Sequence, residues 1–317
     1  MGIGKITGLV TSLVIFAASA GLYVYRQDVL DWLVLRDYEP SPAIARLASN
    51  ASLSDEGRKL FYVHDPALLD KSTFQGSCGA SEETIVLGCY ITHQKIYVFD
   101  VEDERLQGVE EVTAAHEMLH AAFDRLSDNE KERITSLLQD TFTSLNDERL
   151  NKTIATYEKR DPSIVPNELH SIIGTEVREL PQELESYYEQ YFLDRLAVVG
   201  KAEAYEAEFT KLEDQIELYD QQLNSLKRSI EESQVNIDQL GAALNLEKQQ
   251  LEAKRGNPEA YNAAIPAYNQ KVREYNALIQ RARDLVSQFN QLVEERNLIA
   301  LEERELIDAI DTRATEL

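Results

Sequence analysis

The stretch that decides the fold is Thr113-Ala114-Ala115-His116-Glu117-Met118-Leu119-His120-Ala121-Ala122-Phe123. Two histidines four residues apart in a helix differ by about 40° in azimuth, so both imidazoles can reach one metal ion. The intervening Glu117 can then reach a water on that ion, and the five residues His116 to His120 form the His-Glu-x-x-His zinc pattern. The residue types suit the chemistry: neutral imidazoles are strong zinc ligands, and a nearby carboxylate can act as general base toward the attacking water. A helix over 109–126 is predicted from Val109, Val112, Leu119, Phe123 and Leu126, which recur at helical spacing. The flanking Ala114, Ala115, Ala121 and Ala122 fit a buried helix packed close to its neighbours. By chance the pattern would occur in about one chain of this length in a hundred, and here it uses two of the five histidines. The bland alternative is two surface or core histidines. His64 and His93 have no partner at ligand spacing and read as surface residues.

A hydrolytic zinc site needs a third protein ligand and an open fourth position. Downstream, at the head of another predicted helix near Pro166-Asn167, runs Asn167-Glu168-Leu169-His170-Ser171-Ile172-Ile173-Gly174-Thr175-Glu176. Here the chain resembles the gluzincin class of zinc metallopeptidases, whose third ligand is a glutamate on a later helix in an Asn-Glu-x-x-Ala/Ser context. Asn167-Glu168-x-x-Ser171 matches that context. The block from Glu168 to Glu176, with Pro181 beyond it, is similar to the lethal-factor-like branch of the class. The resemblance covers roughly residues 84–195. It implies one Zn(2+) per chain held by His116, His120 and Glu168, with Glu117 as general base in peptide hydrolysis. That branch often has aromatics after the ligand glutamate, whereas this chain has Leu169 and His170; Glu176 and His170 therefore stand as alternative third ligands. An oxyanion stabiliser is also expected, with Tyr157, His170 and Tyr187 as candidates.

Before the motif, Leu60-Phe61-Tyr62-Val63, Thr84-Ile85-Val86-Leu87 and Lys95-Ile96-Tyr97-Val98-Phe99 are β-branched or aromatic runs that read as strands of a small sheet. Tyr90 to Phe99 is a candidate edge hairpin; peptidases of the resembled kind hold an extended substrate as an added strand along such an edge. After the motif, Ser127 with Glu130 three residues on is a capping box, and residues 127–150 read as one helix. Helical character is expected from Pro181 to about residue 255.

In the C-terminal part Leu212, Ile216, Tyr219, Leu223, Leu226, Ile230, Ser233, Ile237, Leu240, Leu244, Glu247 and Leu251 step by alternating four and three, a heptad seam. After Gly256-Asn257-Pro258, a stop and restart signal, a second series runs from Tyr261 through Ile265, Tyr268, Val272, Tyr275, Ile279, Ala282, Val286 and Phe289 to Val293. Asn262, Asn269, Asn276, Asn290 and Asn297 share one heptad column. Two such limbs predict an antiparallel coiled-coil hairpin, each limb on the order of 75–80 Å long, with a kink at Pro266. It is a spacer, a self-association element or an arm for a partner.

Residues 6–25 carry no charge and are just long enough, as a helix, to span a bilayer. Lys5 lies before them, Arg26, Asp28, Asp31 and Asp37 after, and Tyr23, Tyr25 and Trp32 sit where an aromatic belt would lie. This predicts a single-pass anchor with the rest of the chain outside the cytoplasm. The alternative is a cleaved signal peptide and secretion, because Lys5, the apolar stretch to Phe16 and Ala18-Ser19-Ala20 imitate its three regions. Export would permit a Cys78–Cys89 disulfide; two buried thiols are the other reading. Two cysteines are too few for a Cys-only zinc site, which directs the ligand search to His and Glu. With 56 acidic against 32 basic residues the formal net charge is −24, and both the first 200 residues (18 basic, 33 acidic) and the remainder (14 and 23) are acidic. Such a field repels phosphate backbones and argues against nucleic acid as a partner.

The expected fold is therefore α+β: a membrane anchor over 1–27, a stalk over 28–55, a mainly helical zincin-like domain with a small sheet over 56–199, and the coiled-coil hairpin over 200–317. The expected function is a membrane-anchored zinc metallopeptidase acting on a peptide or protein. Its alternatives are a non-catalytic tethered interaction module and a zinc hydrolase of a cell-wall amide.

Overall fold

The computed structural model describes residues 25–78, 85–92 and 94–313, a mostly helical chain with one small sheet and a long C-terminal helical pair. Three short helices come first: α1 (Arg26–Leu35), α2 (Pro42–Asn50) and α3 (Asp55–Val63). Ser41 and Ser54 start the latter two, their hydroxyls accepting from the amides of Ile44 and Gly57, which satisfies amides that have no partner within the helix. The stalk expected over 28–55 is not a stalk, because Ile44, Leu47, Ala48 and Leu53 are buried in the core. Nor is the run from Leu60 to Val63 a strand: it is the end of α3, with Leu60 and Phe61 facing inward. A four-residue apolar run fits either geometry, and here the Ser54 cap upstream selects the helix.

The sheet contains β1 (Ala67–Leu69), β2 (Gly88–Ile91) and β3 (Lys95–Phe99), with α4 (Lys71–Cys78) between the first two. Its order is β1-β3-β2, with β1 parallel and β2 antiparallel to the central β3. The edge hairpin thus forms, with Tyr90 opposite Ile96 and Ile91 opposite Lys95. The strand expected over 84–87 begins instead at Gly88, and Thr84 lies outside the described residues. A disulfide joins Cys78 at the end of α4 to Cys89 in β2, with 5.9 Å between their Cα atoms.

Helix α5 (Val109–Asp124) carries the His-Glu-x-x-His pattern and is the centre of the core, with Ala114, Ala115, Met118, Leu119 and Ala122 buried. The capping box forms as the sequence predicts, but the helix over 127–150 is two, α6 (Asp128–Leu145) and α7 (Glu148–Arg160). The break falls at Asn146, whose left-handed backbone (φ 49°) suits asparagine at a helix end. Asp147 then restarts the helix by accepting from the Leu150 amide at 3.0 Å. Next comes α8 (Val165–Glu176), which packs closely on α5. A Cβ at Gly174 would stand 2.5 Å from Leu119 Cδ1, so only glycine permits that approach. The carbonyls just past the end of α8 are taken up by the buried Arg195 guanidinium, which donates to those of Val177 and Arg178 and to the Glu185 carboxylate. Between them lies α9 (Gln182–Tyr188), and residues 189–194 interrupt the helix expected from 181 onward.

Two helices complete the chain, α10 (Arg195–Ala253) and α11 (Pro258–Ile310). One compact unit takes in the chain up to 207 together with 308 onward; the other is 208–307. The first unit therefore continues past the expected boundary at 199 and includes the described residues 308–313. Thr312 Oγ1 donates to the Val86 carbonyl at 2.6 Å, and Gln75 Nε2 reaches the carbonyls of Thr312 and Arg313. Within the second unit the seam side chains are half-buried or buried, except Val286, and the asparagine column is exposed. Lys271 pairs with Glu247 at 2.7 Å and Arg296 with Asp220 at 3.0 Å, an antiparallel register. Pro266 lies inside α11, whose helix runs on through it. Among the described residues no helix is long and apolar enough to cross a membrane; residues 6–24 of the expected span lie outside them.

Candidate metal centre

On α5 the rings of His116 and His120 stand at 4.7 Å between centroids and 80° to one another. The first turn of α8 brings Glu168 opposite them, its Oε2 3.7 Å from His116 Nε2 and its Oε1 3.8 Å from His120 Nε2. One ligand atom from each of the three lies within 4.8 Å of the others. A tetrahedral zinc ion with bonds of about 2.0–2.1 Å separates its ligand atoms by roughly 3.4 Å, so the three side chains would need only a modest approach to close on one ion. The environment fits a cation. Glu168 Oε2 is buried with no hydrogen-bond partner, an arrangement that is costly for a carboxylate unless a cation completes it. Burial pushes the Glu168 carboxyl up, but His116, His120 and the Tyr157 hydroxyl outweigh it and hold the group below its ordinary range. His120 Nδ1–H donates to Asn167 Oδ1 at 3.0 Å, which leaves Nε2 as the bare nitrogen facing Glu168.

Glu117 is buried on the same helix, under the edge strand. A Cβ at Gly88 would stand 2.7 Å from Glu117 Cγ and 2.5 Å from Thr113 Cγ2, so the strand backbone passes directly over the carboxylate. The triad, Glu117 and Tyr157 line a cleft of about 1060 Å³, walled on one side by β2 through Gly88, Cys89 and Tyr90 and on another by α6. No other described strand pairs with the outer edge of β2.

The remaining sequence candidates lie elsewhere. Glu176 pairs with Arg149 at 2.8 Å and is not a member of the triad. His170 is fully buried beneath the site, with Nε2 at 2.8 Å from the Tyr187 hydroxyl and its ring against Phe123 and Tyr188. Burial lowers its pKa to about 3, so it is neutral and is placed as a packing residue. Tyr187 is consumed by that contact and by Tyr191, which leaves Tyr157 as the oxyanion candidate that faces the cleft. His64 is not on the surface: it is buried, its Nδ1 is 2.7 Å from the Leu60 carbonyl, and its ring meets Tyr90 edge-on. His93 lies outside the described residues. Sequence reasoning missed Asn167 as the partner of His120 and Gly88 as the residue that admits Glu117, although both occupy marked positions, one beside the ligand and one opening the strand. The chain matches no protein-family model, no curated relative and no solved structure.

Proposed function

We propose that the protein is a membrane-anchored zinc metallopeptidase with its catalytic unit outside the cytoplasm. The observation that carries this reading is the convergence of His116, His120 and the orphaned Glu168 Oε2 beside Glu117, in a cleft walled by β2, the terminal strand of the described sheet. Zinc, when bound there, supplies Lewis-acid polarisation of the scissile carbonyl and acidifies water. The remaining work falls to the chain. The outer edge of β2 binds an extended peptide by main-chain pairing and fixes its direction across the cleft. Glu117 takes the proton from the attacking water and delivers it to the leaving amine. The Tyr157 hydroxyl donates to the charge that develops on the carbonyl oxygen. Export is supported by the Cys78–Cys89 disulfide, which persists in oxidising compartments, and by the uncharged run over 6–25.

The test is the metal content of the purified full chain, with the hydrolysis of an unstructured protein by wild type and Glu117→Gln. One zinc per chain in both proteins, and a loss of at least about 10²-fold in rate for the variant, is the expected result. Absence of stoichiometric zinc, or an unchanged rate in Glu117→Gln, overturns the reading.

A further inference from the structure

Helix α1 buries an acid and exposes apolar side chains, the reverse of an ordinary surface helix. Its buried side chain is Asp31, which receives two bonds from the Arg125 guanidinium at 2.8 and 3.1 Å and lies 3.6 Å from Lys59 Nζ. Asp28 adds a second contact to Lys59 at 3.1 Å. Its apolar residues face away from the unit: Trp32 is 59 % exposed, Leu30 54 %, Val34 51 % and Leu33 49 %, with Val29 beside them. At 100° per residue these five side chains cover about 200° of the helix circumference. Ion pairs thus hold the helix by its polar edge while these apolar side chains stay exposed, with the Arg36 guanidinium over the Trp32 ring at 5.8 Å. Contiguous exposed apolar faces of this kind mark an interaction surface.

The sequence identifies the occupant. The twenty uncharged residues 6–25 run directly into α1, so this face begins where the expected bilayer span ends. We infer that the apolar face of α1 lies in the bilayer interface, as interfacial helices do, and that the Asp31–Arg125 pair fixes the cleft over the membrane. Arg125 caps the C-terminus of α5, the metal-bearing helix, and the neighbouring Asp124 lines the cleft. The site is therefore held within reach of polypeptide segments that emerge from the bilayer, and these are its substrate class. This rests on the anchored-peptidase reading above.

Trp32 is the single tryptophan of the chain, which makes the test direct. The full chain is reconstituted into phosphatidylcholine vesicles, a zwitterionic lipid chosen because the net charge of −24 gives anionic lipid no role. Emission is then measured with lipids brominated at shallow or deep acyl positions and with aqueous acrylamide. The expected result is co-flotation with vesicles and at least twofold stronger quenching by shallow than by deep bromines. Co-flotation with Trp32 open to acrylamide and untouched by bromine overturns the inference and leaves the anchor standing. Shielding from both quenchers, which indicates a second copy on the face, overturns it as well, as does stronger quenching by deep bromines. Failure to float removes the anchor and this inference together. For the substrate class, one peptide sequence is offered free and attached to lipid, with at least a tenfold preference for the attached form expected. Equal rates overturn the substrate class, whereas no cleavage of either form overturns the peptidase reading and leaves the Trp32 result intact.

Discussion

Replacement of Gly88 by alanine tests whether the edge strand and Glu117, the proposed general base, are fitted to one another. The added Cβ would meet Thr113 Cγ2 at 2.5 Å, Glu117 Cγ at 2.7 Å and Glu117 Oε1 at 2.8 Å, where ordinary contact begins near 3.4 Å. Relief requires relative movement of about 0.6–0.9 Å. Thr113 has little room to give, because it is buried and its hydroxyl is bonded to the Val109 carbonyl at 2.8 Å. The displacement therefore falls on Glu117 or on β2, and both are groups that the proposed reaction must align. A misplacement near 1 Å costs about 10²-fold in rate, or about 2.7 kcal/mol in barrier height. The assay is the turnover of a fluorogenic peptide pool by zinc-loaded protein, with metal content measured alongside. The expected result is a kcat lowered about 10²-fold with one zinc retained, since the three atoms nearest the new methyl group belong to Thr113 and Glu117. Gly76→Ala is the control: nothing lies within 4 Å of its added Cβ, and in helix α4 the change stabilises by about 0.5–1 kcal/mol. A Gly88→Ala enzyme with wild-type kcat, or one that loses its zinc, refutes the reasoning.

Three further outcomes are expected. Asn167→Ala removes the acceptor of His120 Nδ1–H and should weaken zinc affinity about 10–100-fold by competition titration; an unchanged affinity shows that Asn167 does not orient the ligand. Cys78→Ser with Cys89→Ser opens a short loop and should lower stability by about 3 kcal/mol in denaturant melts, whereas coincident melts would mean that the crosslink constrains little. Burial next to Asp100 raises the Glu110 pKa to about 7. The folded state then binds a proton more tightly than the unfolded one, so this group's contribution is present at acidic pH and is lost as pH rises through about 7. Wild type should lose stability from pH 5 to 8 and Glu110→Gln should lose less, as thermal melts across that range would show; parallel curves contradict the assignment.

What could be read from the sequence was what repeats or what chemistry restricts. The heptad seam from Leu212 to Leu251 is visible because each seam position repeats every seven residues, and its side chains are the ones shielded in the second unit. The His116–His120 spacing is equally local, since one turn of helix α5 brings both rings to the same side. Glu168 could be singled out only through its Asn-Glu-x-x-Ser context, because nothing near it in sequence marks which glutamate approaches α5. Residues 28–63 were misread for a physical reason: a helix of nine residues makes only about two and a half turns, so even a well-segregated apolar face offers few repeats to read. Their burial depends on partners far along the chain, such as the bridge of Leu53 to Phe192. Asp31 and Arg125, ninety-four positions apart, are ordinary surface charges until the fold brings them together.

The return of the chain to the first unit at 308 gives the hairpin the status of a topological insertion, with both of its roots in one folded body. A polypeptide cut at the Gly256-Asn257 turn would not release a fragment. The severed half would stay seated through the shielded seam side chains and the Thr312 hydroxyl on Val86, with the pairs Lys271–Glu247 and Arg296–Asp220 setting register. Val86 belongs to the lining of the cleft, so the nicked protein would keep that wall of the cleft held by a segment no longer covalently continuous with the rest of it.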